Sequence, residues 1–217
     1  MFARGSDGVY QSSLLLAVDW LSHGFGTRLS EGWPGEYLRI RQIHSANAVL
    51  VGSVAPREEG DAIVTSTPGN WIGIRTADCV PVLMADPRGQ CVAAVHAGWR
   101  GTVANISGTT VRTLETNFGS SSQDLIAAIG PCIGLCCFEV GNEVSEQFRD
   151  LFPESLHLRH VDLAEANRRQ LIAAGLRREN IDIASVCTMC ESSVFHSYRR
   201  DREKSGRMVS AVRINQL

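Results

Sequence analysis

Apolar positions in this chain come mostly in short runs separated by turn residues. Runs rich in apolar or β-branched residues predict strands at Leu14 to Val18, Ala48 to Val54, Trp71 to Arg75, Val80 to Asp86, Cys91 to His96, Leu125 to Ile129, Ile181 to Val186 and Met208 to Ile214. After Gly101 the spacing turns helical through Val103, Ile106, Thr110, Val111 and Leu114, and stops at Asn117-Phe118-Gly119, a glycine C-terminal cap. A second helix uses Val140, Val144, Phe148 and Leu151 before Pro153. A third opens at Asp162, a good N-cap with Glu165 three residues on, and ends at Gly175. This order predicts a mixed sheet with helices packed on it. No repeat or long linker interrupts it, and the most loop-like stretch is Pro56-Arg57-Glu58-Glu59-Gly60, so residues 1–217 read as a single domain.

Composition narrows the classes without changing that picture. With 217 residues, 44% hydrophobic and 20% charged, the chain can bury a core without disulfides, and disordered or fibrous classes are excluded. The formal charge of -2 lacks the basic surplus of a nucleic-acid binder. The start Met1-Phe2-Ala3-Arg4 has no long apolar core after it and no run spans a bilayer, so the expectation is a cytoplasmic protein without membrane partners. Seven cysteines, an odd count, fit reduced thiols better than a disulfide framework, and each taken alone reads as a small buried hydrophobe.

Chemistry concentrates between Asp61 and Gly101. Asp86-Pro87-Arg88-Gly89 lies between two apolar runs, which predicts an antiparallel hairpin. Cys79 then precedes the outgoing strand and His96 ends the returning one, so thiol and imidazole approach one sheet edge. His44, at a break before the run from Ala48, is the best third member. Three readings stay open here. Cys79, His44 and His96 hold a zinc whose fourth position is free for water; or Cys79 is a nucleophile with His96 as its base; or the pair is a core histidine beside a buried thiol. Gly98-Trp99-Arg100-Gly101 is either an anion-binding helix start using Arg100 or a tight turn. Cys132, Cys136, Cys137, Cys187 and Cys190 suit a second metal site or a redox couple. Phe195-His196-Ser197-Tyr198-Arg199-Arg200 is either a patch that stacks a base and grips phosphate or a solvated basic loop.

The motifs Gly24-Phe25-Gly26-Thr27-Arg28, Gln42-Ile43-His44, Gly60-Asp61-Ala62, Ala77-Asp78-Cys79-Val80-Pro81, His96-Ala97-Gly98-Trp99-Arg100-Gly101, Gly130-Pro131-Cys132-Ile133-Gly134 and Ser197-Tyr198-Arg199-Arg200 with Gly206-Arg207 closely resemble the laccase-domain family. That family also carries the names polyphenol oxidase, peptidoglycan editing factor and purine nucleoside phosphorylase. The resemblance implies an α/β fold, a single-domain mixed-sheet α/β/α sandwich related to Cys/His toxin deamidases. It further implies zinc on His44, Cys79 and His96. Ser45 stands where the family usually has Gly, and Phe138 where it often has Tyr.

The activity so implied is phosphorolysis of adenosine, inosine, guanosine and methylthioadenosine, with deamination of adenosine as a second reaction. In deamination, His44, Cys79 and His96 hold the metal while hydroxide attacks the purine C6, and Asp78 carries a proton to the departing ammonia. In phosphorolysis, Arg100, Arg199 or Arg200 binds phosphate. The partners are thus a purine nucleoside and phosphate, and the chain is expected to be a monomer. Six histidines are too few for a multicopper cluster, although copper can enter such a site in vitro. Three alternatives stand beside this reading: a Cys/His amide hydrolase editing peptidoglycan precursors, a copper-dependent polyphenol oxidase, and a non-catalytic metal-stabilised interaction module.

Overall fold

Most of the apolar runs become strands in the computed structural model, which describes residues 1–52 and 58–216. In chain order the strands are β1 (Phe2–Arg4), β2 (Tyr10–Ser12), β3 (Leu21–Phe25), β4 (Ala48–Leu50), β5 (Ala62–Thr65), β6 (Ile72–Thr76), β7 (Val80–Asp86), β8 (Cys91–Ala97), β9 (Ile126–Ile129), β10 (Leu156–His157), β11 (His160–Val161), β12 (Ile181–Ile183) and β13 (Met208–Ile214). The helices are α1 (Ser13–Leu16), α2 (Trp99–Val103), α3 (Ile106–Phe118), α4 (Asn142–Leu151), α5 (Leu163–Ala173) and α6 (Tyr198–Asp201).

Two sheets carry the fold rather than the expected one. A mixed six-stranded sheet has the order β12-β9-β7-β8-β5-β4, and an antiparallel five-stranded sheet the order β1-β2-β3-β13-β6. Strand alternation shows how they layer. On β7 and β8, Val80, Val82, Met84, Ala93 and Val95 join Ile106, Leu114, Phe148 and Leu171 in a core shared with the helices. Leu83, Ala85, Val92 and Ala94 point the other way, to Phe25, Ile72, Ile74 and Val212 of the second sheet. The six-stranded sheet is therefore buried on both faces, which is why β7 and β8 read as unbroken apolar runs. The layers are helices, sheet, sheet, a mixed α/β fold in which a second sheet takes one place of the expected α/β/α sandwich. The second sheet was hard to read because β3, Leu-Ser-His-Gly-Phe, interrupts its apolar positions with polar ones.

Local differences have local causes. The run from Leu14 to Val18 begins inside the short helix α1, which inserts Leu15 alone while Leu16 stays exposed, so strand alternation is absent. The run from Ala48 is strand only to Leu50, and its end, residues 53–54, lies outside the described residues along with Pro56 and Arg57. The helix expected after Gly101 is broken into α2 and α3 at Asn105, whose φ of 64° is left-handed. Gly119 caps α3 in the left-handed region, and the Asp162 side chain accepts from the Glu165 N–H at 2.9 Å, as the sequence predicts. No helix among the described residues is long and apolar enough to cross a membrane.

The hairpin of β7 and β8 pairs Val80 with Ala97 and Pro81 with His96. β5 runs antiparallel to β8, with Ala62 opposite Val95. The start of β5, the start of β7 and the end of β8 thus meet at one end of the sandwich, which is where Asp61, Cys79 and His96 lie.

Candidate metal centre

His44, Cys79 and His96 each present one donor atom, and the three lie within 4.8 Å of one another. His96 comes from the end of β8 and is only 3% exposed; Cys79 precedes β7 and is half-buried; His44 comes from an exposed loop. The His44 and His96 rings are 4.8 Å apart at 78°, edge to face, so their nitrogens approach from different directions. Such closeness needs space. A Cβ on Gly98 would sit 3.0 Å from Cδ2 of His44 and 3.1 Å from Sγ of Cys79, so only glycine fits there without moving a donor.

Asp61, fully buried, organises the group. Its Oδ1 lies 2.8 Å from Nδ1 of His96, so the imidazole donates there and turns Nε2 toward Cys79. The same carboxylate accepts the N–H groups of Ile43 (3.3 Å), His44 (3.0 Å) and Ser45 (2.5 Å), and the Ser45 hydroxyl at 2.8 Å. These bonds hold His44 at φ 60°, a conformation that disfavours a side chain by roughly 1–2 kcal/mol. Ser45 adds a hydroxyl bond to Asp61 that glycine cannot make. Burial pushes the Asp61 carboxyl up, but bonds from His96 and Ser45 outweigh it and hold it down to about 2. Burial likewise pushes the Cys79 thiol up, and the two imidazoles bring it down to about 6. Burial pulls His96 down, yet Asp61 and Cys79 raise it to about 9. Thiolate and imidazolium are thus favoured side by side, and a divalent cation bound there would displace the proton they share. One thiolate and two imidazoles within this span, steadied by the Asp61 carboxylate on His96, fit a zinc site of three protein ligands.

The donors open onto a cleft of about 1010 Å³ lined by Ile40, Thr76, Ala77 and Tyr198 among others, with Arg39, Arg41, Arg75 and Arg207 also on its walls. Among the described residues no side chain or carbonyl engages the guanidinium of Arg39 or Arg75, whereas Arg41 pairs with Glu59 at 2.6 Å. Arg207 stacks over Tyr198 at 5.6 Å.

The other expected site residues take different places. Asp78 is buried with both oxygens occupied: Thr188 Oγ1 donates at 2.7 Å, Ser197 Oγ at 3.0 Å and the Arg199 N–H at 2.6 Å. It does not line the cleft. Arg200 donates to the carbonyls of Thr188, Met189 and Phe195 and pairs with Asp201, which makes it a clamp on the chain. Arg199 donates to the Glu139 carbonyl at 2.7 Å and stacks on Phe138. Arg100 stacks over Trp99, outside the cleft. Asp61 and Arg207 stand in the sequence motifs, but nothing in the sequence gives either of them, or Arg39, Arg41 and Arg75, a role at the site.

Residues 28–215 match the family described as multi-copper polyphenol oxidoreductase laccase. A purine nucleoside phosphorylase of Bacteroides thetaiotaomicron is 40% identical over 211 residues, covering 87% of this chain and 78% of that one. An adenosine deaminase named RL5, from an unknown prokaryotic organism, is 37% identical over 191 residues, covering 79% and 72%. The crystal structure of YlmD from Geobacillus stearothermophilus superposes with a TM-score of 0.88 at 28% identity, covering 100% of this chain and 99% of that one. The relatives' names support an enzyme with a small-molecule substrate. With the match spanning most of its length, the chain belongs to the multi-copper polyphenol oxidoreductase laccase family.

Proposed function

We propose that this chain is a zinc-dependent purine nucleoside phosphorylase that also deaminates adenosine, acting in the cleft above His44, Cys79 and His96. The observation that carries the reading is a three-donor site in the wall of a cleft that also exposes two guanidiniums, Arg39 and Arg75, unpaired among the described residues. A neutral nucleoside alone needs no such charge; a phosphate co-substrate does. Relatives named for both reactions support the same substrate class.

Zinc held by three protein donors supplies Lewis-acid chemistry at neutral pH. The chain's residues supply the rest. Asp61 keeps the His96 proton on Nδ1 and so leaves Nε2 as a donor, while Cys79 is kept as thiolate. Arg39 and Arg75 hold phosphate against the ribose, one of its oxygens bonds to C1′, and the bond from C1′ to the purine nitrogen breaks with its electron pair leaving on the base. Tyr198, which donates to Glu203 at 2.8 Å, lines the cleft as the hydroxyl nearest in chemistry to the proton the departing base needs. Asp78 has no free oxygen for proton transfer, so the deamination proton is assigned to Glu203 in its place. The donor count supports zinc: His44, Cys79 and His96 are the sole histidine-containing group of three donors among the described residues, with too few imidazoles for a multicopper centre.

One observation favours a second reading. Asp61, His96 and Cys79 stand in the order of a Cys-His-Asp hydrolase, with the thiol brought down to about 6. A nucleophile needs one imidazole, however, and His44 adds a second, held at a left-handed φ for that position.

Purified protein incubated with inosine should release hypoxanthine and ribose 1-phosphate only when phosphate is present, and adenosine should release ammonia. Hypoxanthine release at the same rate without phosphate would reject phosphorolysis.

A further inference from the structure

A second group of donors lies outside the cleft. Cys136 and Cys137 sit in a turn in which the N–H groups of Cys137 and Phe138 both donate to the Gly134 carbonyl at 3.0 Å. Cys187 and Cys190 sit in the turn after β12, where the Glu191 N–H donates to the Cys187 carbonyl at 3.1 Å. The two turns are joined by a bridge between Cys132 and Cys187 and by the Thr188 N–H on the Cys132 carbonyl at 2.9 Å. Two pairs of sulfurs far apart in sequence are thereby gathered within 4.8 Å of one another.

We propose that Cys136, Cys137, Cys187 and Cys190 bind a second zinc ion as a closed, structural tetrathiolate site. The Cys190 sulfur is 3.4 Å from that of Cys137 and 3.7 Å from that of Cys136. A zinc tetrahedron with metal–sulfur bonds of about 2.3 Å has edges of about 3.8 Å, so the sulfurs already stand near the required separations. All seven cysteines are free, and sulfurs this far apart are unbonded. The Gly134 N–H donates to the Cys187 sulfur at 3.2 Å, the bond that steadies a ligating thiolate. A Cβ on Gly134 would meet the sulfurs of Cys136 and Cys187 at 3.4 and 3.5 Å, so glycine keeps room at the cluster. Cys136 and Cys190 are exposed, which gives a metal a way in and separates the cluster from ordinary buried thiols. Soft thiolates in this arrangement select zinc, and binding releases the four thiol protons to solvent. Four protein ligands leave no open position, so the ion is a staple. It ties together the segments whose Ile133 N–H and Thr188 hydroxyl hold Asp78, the neighbour of Cys79.

The test reads the sulfurs and does not depend on any reaction in the cleft. Protein purified reduced should contain two zinc ions per chain, Cys79→Ala one, and the pair Cys136→Ser with Cys190→Ser one. In unmutated protein, Cys136, Cys137, Cys187 and Cys190 should resist iodoacetamide, as read by peptide mass spectrometry, and label only after a chelator is added. Cobalt added to Cys79→Ala after its zinc has been stripped with a chelator should give an intense thiolate-to-metal charge-transfer band. One zinc per chain with these four cysteines labelling at once, or a Cys79→Ala variant with no charge-transfer band, overturns the proposal.

Discussion

Asp61 stands immediately before β5 and His96 near the end of the neighbouring β8, with Oδ1 and Nδ1 2.8 Å apart, and the same carboxylate accepts the N–H groups of His44 and Ser45. One buried group therefore aims two donors that arrive from different parts of the chain. Asp61→Asn keeps the size but loses the charge and one acceptor. Zinc affinity of the centre, measured by competition with a chelator, should fall about 10- to 100-fold. Unchanged affinity would remove Asp61 from the site.

The thiol of Cys79 should titrate as an unusual acid. In metal-free protein its alkylation rate should rise with pH and reach half its maximum near pH 6, because His44 and His96 favour the thiolate against the upward push of burial. His44→Ala should move that midpoint upward. With zinc bound, Cys79 should be protected until chelator is added. Immediate alkylation of zinc-loaded protein would favour the cysteine-hydrolase reading instead.

The arginines should divide into two groups. Arg75→Ala, on the cleft wall, should raise the KM for phosphate about tenfold or more with little change in stability, since a charged hydrogen bond is worth about 1.5–3 kcal/mol. Arg200→Ala should lower stability by on the order of 3 kcal/mol, because it abandons three carbonyls and Asp201. Denaturant titrations and phosphate saturation curves separate the two; a reversed pattern would return phosphate binding to Arg200.

His23 predicts an acid weakness away from the cleft. It is 1% exposed, its Nε2 accepts the Ser12 N–H at 2.9 Å, and its Nδ1 has no partner among the described residues. Burial lowers its pKa from 6.5 to about 4. Between those values the unfolded chain binds a proton that the folded one refuses, so stability falls as pH falls from about 6.5 to about 4. The loss from this residue should approach about 3 kcal/mol. Unfolding curves at several pH values should show a shallower loss in His23→Gln, and identical slopes would assign the acid sensitivity elsewhere.

Much of this was legible in the chain. The turn residues between two apolar runs placed Cys79 and His96 at one sheet edge, and the break at His44 supplied the third donor. Asp61 was not legible as a hub, because its bonds to His96 and to the 43–45 segment exist only once β5 pairs with β8. The rim was hidden for a similar reason. Arg39, Arg41 and Arg75 are scattered and exposed, and they share a cleft with Arg207 only because Leu38 bridges to Ile72 and β13 pairs with β6, bringing Met208 beside Thr76. The Arg199-Arg200 pair misled because local charge density says nothing about whether backbone carbonyls have already taken the guanidiniums. The five-stranded sheet escaped notice because β1 to β3 are short and interrupted by polar residues.

The most direct test of the central claim is phosphate-dependent hypoxanthine release by Cys79→Ala, assayed with its zinc content. The cleft account predicts that this variant loses the zinc of His44, Cys79 and His96 and, with it, both phosphorolysis and deamination. A folded variant that lacks this zinc yet splits inosine at the unmutated rate would contradict it.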